Sequence, residues 1–487
     1  MPVRTKAVRG AGAVACGALV AIAAACYSGA TSDSRTAPAR ASATTGPPAP
    51  VYGATVTVDP SGAVLGKTND HFEGLSFESG RLDTGWFDNV GNLAQLLRNL
   101  GTSVMRFGGN SVDTAYNGIS PAALAGLNRL AQASGWTVLY SEPLARFRAA
   151  AVTRDARAVA AALGPRLAGF ACGNEPDLYR VNGLRSPSYA EAAYLAQVNR
   201  CFRAIRAGAP GAMLEGPDFS GSPDWLGPYA TAERGTIGWL GQHQYPLGCE
   251  IEGVPPRELA DELLSPALTA KENRVFDATA AAARSAGAVP RLTETNSACD
   301  GGGDGISNTF ATALWVVDYT LDSVKHGIDG MSFHGGLTGG CQYFTPLCRA
   351  SGNEFTPMPI YYGMLFAHMF GNGRMVPATA EGSHGLNLAA FALRPYAGGL
   401  RVLVENLGPD RAATAVHTGT AAASASASAL TMTAPSVLAT TGVRIQGAQV
   451  AADGTFTAGP PAPVACPAGT CRLTIAPYSA AMLTISR

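Results

Sequence analysis

The chain has 487 residues, of which 14% are charged, and its 35 basic residues are balanced by 35 acidic ones. This length is sufficient for two domains, or for one barrel of about 250 residues with an accessory unit. Because the formal net charge is zero, no global field favours nucleic acid, anionic lipid or a polyanionic polysaccharide as a partner.

Residues 1–26 predict a secretory signal peptide, because basic residues precede an apolar stretch that ends in small residues. The mature chain is therefore expected to be secreted, into the extracellular space or the periplasm. Cys26 follows three alanines that resemble a poor lipobox, so a lipid anchor at Cys26 is the alternative. Residues 27–50 are rich in Ser, Thr, Ala and Pro and predict a flexible linker. No later apolar run is long and uncharged enough to predict a membrane span.

Residues 71–375 alternate short β-rich apolar runs with longer stretches at helical spacing. Because parallel strands are joined by helical crossovers, eight such repeats predict an α/β fold, a (β/α)8 TIM barrel. The predicted strands are 72–78, 102–107, 137–141, 167–172, 212–216, 237–244, 290–294 and 329–334. The predicted helices are 91–99, 121–133, 154–163, 188–207, 265–286 and 308–325.

Residues 376–487 lose the helical period and predict an all-β sandwich domain. Its strand-like segments are LNLAAFAL (386–393), GLRVLVENL (399–407), SALTMTA (428–434), VRIQGAQVA (443–451) and CRLTIAPYSAAMLTIS (471–486). Residues 51–70 contain the strand-like run ATVTV, which is expected to join this domain. The low-complexity run at 419–430 is expected to be a loop.

Two glutamates end the fourth and seventh predicted strands of the barrel. Glu175 follows the strand 167–172 in the sequence GNEP, and Glu294 closes the strand 290–294. Their separation of 119 residues corresponds to three βα units of about 40 residues each, so both carboxylates are expected at the C-terminal face, where barrel chemistry lies.

This pair of carboxylates suits glycoside hydrolysis with retention, in which one carboxylate attacks the anomeric carbon and the other protonates the departing oxygen. Glu294 would be the nucleophile and Glu175 the acid/base. The neighbouring Asn174 could hydrogen-bond the sugar 2-hydroxyl. The structural alternative is that Asn-Glu-Pro merely ends a strand, since proline cannot continue the ladder of hydrogen bonds.

Four segments together resemble glycoside hydrolase family 79, the β-glucuronidase and heparanase group. They are GNEP, the glycine-rich run at 294–303, MRFGGN at 105–110 and NEFTPMPIYYGMLF at 353–366. The resemblance implies a barrel with a β-sandwich domain and a retaining exo-β-glucuronidase. Its partner would be a glycan or glycoside that ends in β-D-glucuronic acid, with or without a 4-O-methyl group.

The resemblance also implies roles for side chains around the two carboxylates. Glu78 and Asn110 would bind sugar hydroxyls, although helix caps use the same residue types. Tyr245 would hydrogen-bond and brace the nucleophile, with aromatic packing as the alternative. Tyr343 and the backbone N–H of Gly301 would bind the uronate, because glycine amides can approach an anion closely.

His334 ends the eighth predicted strand and can line the site, but a purely structural histidine is an equal expectation. Eight cysteines follow the signal segment, and an even number in an exported chain predicts disulfides. The local pairs Cys341–Cys348 and Cys466–Cys471 are expected, with buried free thiols as the alternative. Where the family often carries an aromatic residue, this chain has Cys299, and we expect it to pair with Cys249.

Neither a metal ion nor a cofactor is expected, because the sequence contains no cluster of cysteines or histidines at ligand spacing. Three other functions remain open. An endo-acting heparanase-like enzyme would need more basic residues along its cleft, and an α-L-arabinofuranosidase or β-xylosidase would show the same pattern of elements. A non-catalytic carbohydrate-binding protein would usually have lost one of the two carboxylates.

Overall fold

The computed structural model describes residues 50–221, 223–336, 341–349, 352–419 and 426–486. The chain divides into Met1–Pro48, of which no residue is described, and one unit from Ala49 to Arg487. The predicted signal peptide, the linker up to residue 49 and the lipid anchor at Cys26 therefore lie outside the described residues. None of the described helices is both long and apolar enough to cross a membrane.

All of the described α-helices and the parallel barrel strands lie between residues 73 and 369. The helices are α1 (Leu93–Asn99), α2 (Ser111–Thr114), α3 (Pro121–Ser134), α4 (Ala149–Leu163), α5 (Glu191–Gly208), α6 (Pro223–Ala232), α7 (Pro256–Leu263), α8 (Pro266–Ala286), α9 (Phe310–Lys325) and α10 (Pro359–Met369). The strands up to His334 are β1 (Val51–Val58), β2 (Gly66–Thr68), β3 (Glu73–Glu78), β4 (Val104–Gly108), β5 (Thr137–Glu142), β6 (Leu167–Cys172), β7 (Glu215–Phe219), β8 (Trp239–Gln244), β9 (Val289–Thr295) and β10 (Met331–His334).

The remaining strands are short or belong to the C-terminal sheets. They are β11 (Leu347–Cys348), β12 (Thr356–Pro357), β13 (Gly373–Val376), β14 (Ala378–Gly382), β15 (Leu388–Pro395), β16 (Leu400–Asn406), β17 (Arg411–His417), β18 (Ser426–Thr433), β19 (Arg444–Ile445), β20 (Ala462–Val464), β21 (Thr470–Ile475) and β22 (Ser479–Ser486).

Eight parallel strands form the predicted barrel, in the order β6-β5-β4-β3-β10-β9-β8-β7. A parallel bridge between Phe170 and Leu214 joins the two ends of this sheet and closes it. Each predicted strand has an observed counterpart, but the fifth lies three residues later than predicted. Strand β7 continues to Phe219, with a register shift between Pro217 and Phe219.

Local sequence signals explain where the long helices begin and end. At α3 and again at α8 a serine precedes a proline, and the serine side chain accepts a hydrogen bond from the N–H three residues on. Both helices end at a glycine in the left-handed conformation, Gly135 and Gly287. The predicted helices did not include α2, α6, α7 or α10. Within α6, Gly227 and Pro228 weaken the helical pattern.

Two further sheets pack face to face, as expected for a sandwich. One has the order β14-β1-β17-β21, and the other has the order β19-β18-β22-β16-β15-β13-β2, with β20 paired to β18. Strand β1 lies between β14 and β17, so the N-terminal run is part of this structure. The apolar core between the two sheets includes Val56, Val416, Val402 and Leu483.

Two predictions for the C-terminal region are wrong in part. The expected loop at 419–430 becomes strand β18 from Ser426 onward, where it pairs with β22; residues 420–425 lie outside the described part. The strand predicted over 443–451 is limited to Arg444–Ile445. Gln446 and Gly447 both have positive φ, 48° and 76°, and turn the chain there.

Four disulfides connect the eight cysteines of the described region. The three expected pairs are confirmed: Cys249–Cys299, Cys341–Cys348 and Cys466–Cys471. The fourth pair, Cys172–Cys201, ties the end of β6 to helix α5. Cys172 lies three residues before Glu175, so this bond anchors the strand that carries that glutamate.

Candidate active site

Glu175 and Glu294 face each other at the C-terminal end of the barrel. Glu175 follows β6 with φ 47° and ψ 54°, a left-handed conformation that is uncommon for a residue with a Cβ. Its N–H donates to the carbonyl oxygen of Asp218 at 3.0 Å, which holds this turn against β7. A carboxylate oxygen of Glu175 lies within 4.8 Å of one of Glu294. Both side chains are buried, with 8% and 5% of the residue exposed.

The carboxylate of Glu294 is surrounded by hydrogen-bond donors. Nη1 of Arg106 donates to Oε2 at 2.6 Å, and the hydroxyl of Tyr245 donates to Oε1 at 2.6 Å. Nδ1 of His334 lies 3.4 Å from Oε2. Burial favours the neutral acid, but the charges of His334, His243 and Arg106 together with the Tyr245 hydroxyl outweigh it and lower the pKa of Glu294 to about 2. Glu294 is therefore ionised throughout the neutral range.

Arg106 is the centre of this network, although it lies in the middle of the apolar strand β4. Its side chain is fully buried. Besides Glu294, it donates to Ser76 Oγ at 3.0 Å, to Asn174 Oδ1 at 2.9 Å and to Asp218 Oδ2 at 2.8 Å. A guanidinium remains charged when it is buried and spreads several donors in one plane, so Arg106 can position three strand ends at once.

His243 joins the two halves of the site. Its Nδ1 lies 3.0 Å from Glu175 Oε1 and its Nε2 lies 3.3 Å from Asp218 Oδ1. Burial opposes protonation, but the negative charges of Glu294 and Asp218 and the hydrogen bonds to Asp218 and Glu175 raise the pKa of His243 to about 10. At neutral pH the imidazolium therefore donates from Nδ1 to Oε1 of Glu175 and from Nε2 to Oδ1 of Asp218.

Asp218 is the acidic partner of these two cations. Burial raises its pKa, but Arg106 and His243 outweigh that effect and hold the pKa well below its usual range. Its side chain also accepts a hydrogen bond from the hydroxyl of Thr293. The backbone at Asp218 has φ 55°, so two adjacent strand ends of the site carry a residue with positive φ.

Three of the predicted polar residues, Asn174, Asn110 and Glu78, are connected to one another by hydrogen bonds. Asn174 is buried, and its Nδ2 lies 3.3 Å from Asn110 Oδ1. Glu78 accepts from the N–H groups of Asn110 at 3.2 Å and Ser111 at 2.7 Å. Gly109 permits this contact, because it has φ 66° and a Cβ there would collide with the Glu78 carboxylate.

His334 lies between Glu78 and Glu294. Its Nδ1 is 3.0 Å from Ser76 Oγ, and its Nε2 is 3.9 Å from Glu78 Oε1. The imidazole stacks on Phe344 with ring centroids 5.7 Å apart. His334 is therefore part of the carboxylate cluster and not a remote core histidine.

Gly301 and Tyr343 lie in two loops that touch each other. The N–H of Phe344 donates to the carbonyl oxygen of Gly301 at 3.2 Å, and the side chain of Gln342 packs over Gly301. Tyr343 is 46% exposed. Within the described ranges, neither Gly301 nor Tyr343 forms a hydrogen bond with Glu175 or Glu294. The structure thus brings the other seven predicted side chains together and places these two residues in the adjoining loops.

Sequence reasoning missed Arg106, Asp218 and His243 as members of the site. Arg106 and His243 carried a signal, since each is a titratable residue inside a predicted barrel strand, where such residues are seldom buried without a partner. Asp218 lies beyond the predicted strand 212–216 and carried none. Pairing them required knowledge of which strand ends are neighbours.

Glu175, His243 and Glu294 offer three possible ligand atoms that lie within 4.8 Å of one another. A metal would need neutral imidazole, whereas His243 is protonated at neutral pH. Arg106 already provides a positive charge at Glu294. Two positive groups, Arg106 and the protonated His243, therefore already face the carboxylates that a metal ion would bind.

Comparison with known proteins gives two partial relatives. No protein-family model matches the chain. A β-glucuronidase of Neurospora crassa is 28% identical over 228 residues, which cover 42% of this chain and 40% of that protein. A β-glucuronidase of Aspergillus niger is 28% identical over 226 residues, covering 43% and 42%. The chain thus spans about two fifths of the length of these curated relatives. They confirm the predicted similarity to β-glucuronidases.

Solved structures confirm the fold. A 4-O-α-L-rhamnosyl-β-D-glucuronidase from Fusarium oxysporum, solved with Rha-GlcA, aligns with a TM-score of 0.71 at 20% identity and covers 88% of this chain and 100% of that chain. The family 51 α-L-arabinofuranosidase AbfB from Bifidobacterium longum aligns with a TM-score of 0.66 at 14% identity, covering 90% and 100%. At these identities the similarity establishes the architecture alone.

Proposed function

We propose that the protein is a retaining exo-β-glucuronidase that removes terminal β-D-glucuronic acid, with or without a 4-O-methyl group, from glycans or glycosides. The observation that carries this proposal is the distance of at most 4.8 Å between oxygens of Glu175 and Glu294. Retaining glycosidases have carboxyl groups about 5–5.5 Å apart, whereas inverting enzymes need about 6.5–9.5 Å to admit a water. The two β-glucuronidase relatives support the choice of substrate.

In the first step, Glu294 acts as nucleophile. A carboxylate oxygen of Glu294 forms a bond to the anomeric carbon while the bond from that carbon to the aglycone oxygen breaks, and Glu175 gives its proton to the departing oxygen. The low pKa of Glu294 keeps the nucleophile ionised. Tyr245 and Arg106, which bond its two oxygens, fix its orientation.

In the second step, water displaces Glu294 from the anomeric carbon. Glu175, now a carboxylate, accepts a proton from water as the water oxygen attacks the anomeric carbon, and the ester bond to Glu294 breaks. His243 donates to Oε1 of Glu175, which leaves Oε2 for exchange of the proton. The products are glucuronic acid with its β-configuration retained and the free aglycone.

Asn174 supports the transition state through its own fixed geometry. Its Oδ1 accepts from Arg106, and its Nδ2 lies near Asn110, so the amide cannot rotate freely. In this orientation Nδ2 is the donor available to a sugar 2-hydroxyl. A hydrogen bond at that position strengthens as positive charge develops at the anomeric carbon. Glu78 and His334 lie on the same side and are proposed to bind the other hydroxyls.

Recognition of the uronate is assigned to the loop after β9 and to Tyr343. Asp300, Gly301 and Gly302 have successive positive φ values of 53°, 93° and 75°, a backbone form that can turn N–H groups toward an anion. The N–H groups of Gly302 and Gly303 donate within the loop, to Cys299 O and Ser307 Oγ. The proposal therefore depends on the N–H of Gly301, with the exposed Tyr343 nearby.

Export is part of the proposal. The four disulfides are typical of proteins that fold in an oxidising compartment. A secreted enzyme, with or without a lipid anchor at Cys26, would meet its glycan or glycoside outside the cytoplasm.

The test is release of glucuronic acid from a panel of aryl, flavonoid, xylan and glycosaminoglycan glucuronides, with aryl α-L-arabinofuranoside and aryl β-xyloside as matched substrates. We expect turnover of terminal glucuronides, and NMR of the first product should show the β-anomer. Faster turnover of the arabinofuranoside would replace the proposal with the activity of the structural neighbour. Fragmentation of glycosaminoglycan from internal bonds would assign endo action instead.

A further inference from the structure

A cavity of about 420 Å³ lies between strand β8 and helices α6 and α8. Side chains alternate between the two faces of a strand. His243 points into the barrel toward Glu175, so Gln242 and Gln244 point outward to the helices, and Gln244 accepts from Tyr319 of α9 at 2.9 Å. We name this cavity the β8 pocket. It is lined by Ser220, Gly221, Leu226, Gln242, His243, Gln244, Tyr245, Pro246, Leu268, Lys271, Glu272, Arg274, Val275, Ala278 and Thr279.

Gln242 gives the β8 pocket an unused acceptor. Only 7% of the residue is exposed, and its Oε1 has no hydrogen-bond partner among the described residues. A buried amide oxygen without a partner costs about 1–3 kcal/mol. The Oε1 of Gln242 has less than 1 Å² of accessible surface, so a ligand hydroxyl in the pocket would supply the missing donor after the Gln242 side chain turns toward the cavity.

The outer edge of the β8 pocket is positively charged. Lys271 and Arg274 are exposed on α8 and line the cavity, and neither forms a salt bridge within the part of the chain that the structure describes. Glu272 is buried beside them, and burial raises its pKa to about 8. The glutamate is therefore mostly neutral at pH 7, so the two cations are not cancelled.

The walls between these groups are apolar. Leu226 of α6 and Leu268 and Val275 of α8 belong to the lining. Cavities of about 300–1,000 Å³ with apolar walls and a few polar groups are the usual form of small-molecule sites. At about 420 Å³, the β8 pocket has room for a single substituted ring.

We propose that the β8 pocket binds a hydroxylated ring carboxylate as a second ligand, separate from the substrate between Glu175 and Glu294. The ring would pack against the leucines and the valine, a hydroxyl would donate to Gln242, and the carboxylate would face Lys271 and Arg274. Hexuronic acids and hydroxyaryl acids share this chemistry. Strand β8 lies between the two sites, so both can be occupied at once.

Calorimetric titration of the full chain at pH 7 tests this binding with four probes: glucuronate, 4-hydroxybenzoate, benzoate and glucose. We expect 4-hydroxybenzoate or glucuronate to bind at least about tenfold more tightly than the probe that lacks the hydroxyl or the carboxylate. If 4-hydroxybenzoate binds and glucuronate does not, the ligand is a hydroxyaryl acid. If glucuronate binds and a substitution that fills the pocket abolishes this binding, the ligand is a hexuronic acid. If no probe prefers the intact pocket, the proposal is wrong.

Variants locate the bound probe. Lys271→Ala combined with Arg274→Ala should weaken binding of the carboxylate by at least about tenfold, and Gln242→Leu should remove the preference for 4-hydroxybenzoate over benzoate. Ala278→Trp should fill the cavity from an exposed helix position, and Ala281→Trp, also exposed on α8 but outside the lining, is the matched control. Equal affinity in the wild type and Ala278→Trp would overturn the assignment.

Stoichiometry separates this proposal from the proposed function. If both are right, glucuronate should bind at two sites in the wild type and at one in Ala278→Trp, because the product also fits between the catalytic carboxylates. If the β8 pocket is right but the glucuronidase assignment is wrong, the number should fall from one to zero. If the pocket takes a hydroxyaryl acid instead, the number of 4-hydroxybenzoate sites should fall from one to zero in Ala278→Trp. Unchanged numbers for both probes contradict the β8 pocket alone.

Discussion

Arg106 and Glu294 form a buried ion pair in which Nη1 donates to Oε2 across 2.6 Å. The same guanidinium bonds Asp218 at 2.8 Å, so one cation is shared by two carboxylates on different strands. Burial removes the hydration of each of these charges, so each is stabilised only by its partners in the network. The charge state of the proposed nucleophile is therefore set by the fold and not by exposure to solvent.

Replacement of Glu294 by Gln should abolish turnover while leaving the barrel folded. The amide keeps the shape of the side chain and can still contact Tyr245, but it cannot attack the anomeric carbon. We expect kcat/KM for aryl glucuronides to fall by at least about 10⁴-fold. Glu252→Gln, at an exposed loop position, is the matched control and should retain wild-type activity. Substantial turnover by Glu294→Gln would exclude the double displacement.

Replacement of Glu175 by Ala should cost more for poor leaving groups than for good ones. Departure of phenol needs a proton, so loss of the acid should slow phenyl glucuronide by about 10²–10⁴-fold. Departure of dinitrophenolate needs almost none, so we expect its bond-cleavage step to slow by less than about tenfold. Pre-steady-state release of the two phenols measures this difference. Equal losses for both substrates would argue against the acid/base role.

Much of this site follows from residue spacing, because a barrel makes strand ends neighbours. Glu175 and Glu294 were predictable since three βα units separate them and all strands of the barrel point the same way. The resemblance implied that Tyr245 braces Glu294, and its hydroxyl does bond that carboxylate. Asn174 bonds Arg106, and its contact with a sugar hydroxyl stays a prediction.

Interactions across the barrel could not be predicted in this way. Arg106 lies 112 residues from Asp218, and no local periodicity relates them. A strand position shows which face a side chain occupies, but the pairing of buried charges depends on the order and register of all eight strands. The β8 pocket was likewise hidden, because cavity volume depends on how α6 and α8 pack.

Replacement of Arg106 by Met should shift the acidic limb of the pH profile upward. Arg106 lowers the pKa of Glu294, which reaches about 2 in the native site. Without the guanidinium the carboxylate pKa rises toward its ordinary value, so activity that was retained in acid is lost at a higher pH. The measurement is kcat/KM against pH for an aryl glucuronide. An unchanged acidic limb would show that His334 and His243 suffice.

The same variant should also be less stable. Removing the arginine leaves Asp218 and Glu294 buried with fewer partners, which costs about 3–5 kcal/mol. Urea unfolding at pH 7 measures this loss. Arg106→Lys keeps a positive charge without the planar set of donors and should fall between the wild type and Arg106→Met in both readouts. A methionine variant as stable as the wild type would show that the network does not stabilise the fold.

Replacement of both Cys249 and Cys299 by Ser should raise KM with little change in kcat. Their disulfide joins the loop after β8 to the glycine-rich loop after β9, where Gly301 is proposed to bind the uronate, while Glu294 and Tyr245 stay bonded to each other. A looser loop weakens substrate binding before it disturbs the chemistry. Cys466→Ser with Cys471→Ser, a pair within the sandwich, is the control that should leave KM unchanged. We expect a rise of about three- to tenfold in KM for the loop variant, a loss of about 0.7–1.4 kcal/mol in binding. If kcat falls while KM stays constant, this disulfide positions the catalytic carboxylates and not the uronate loop.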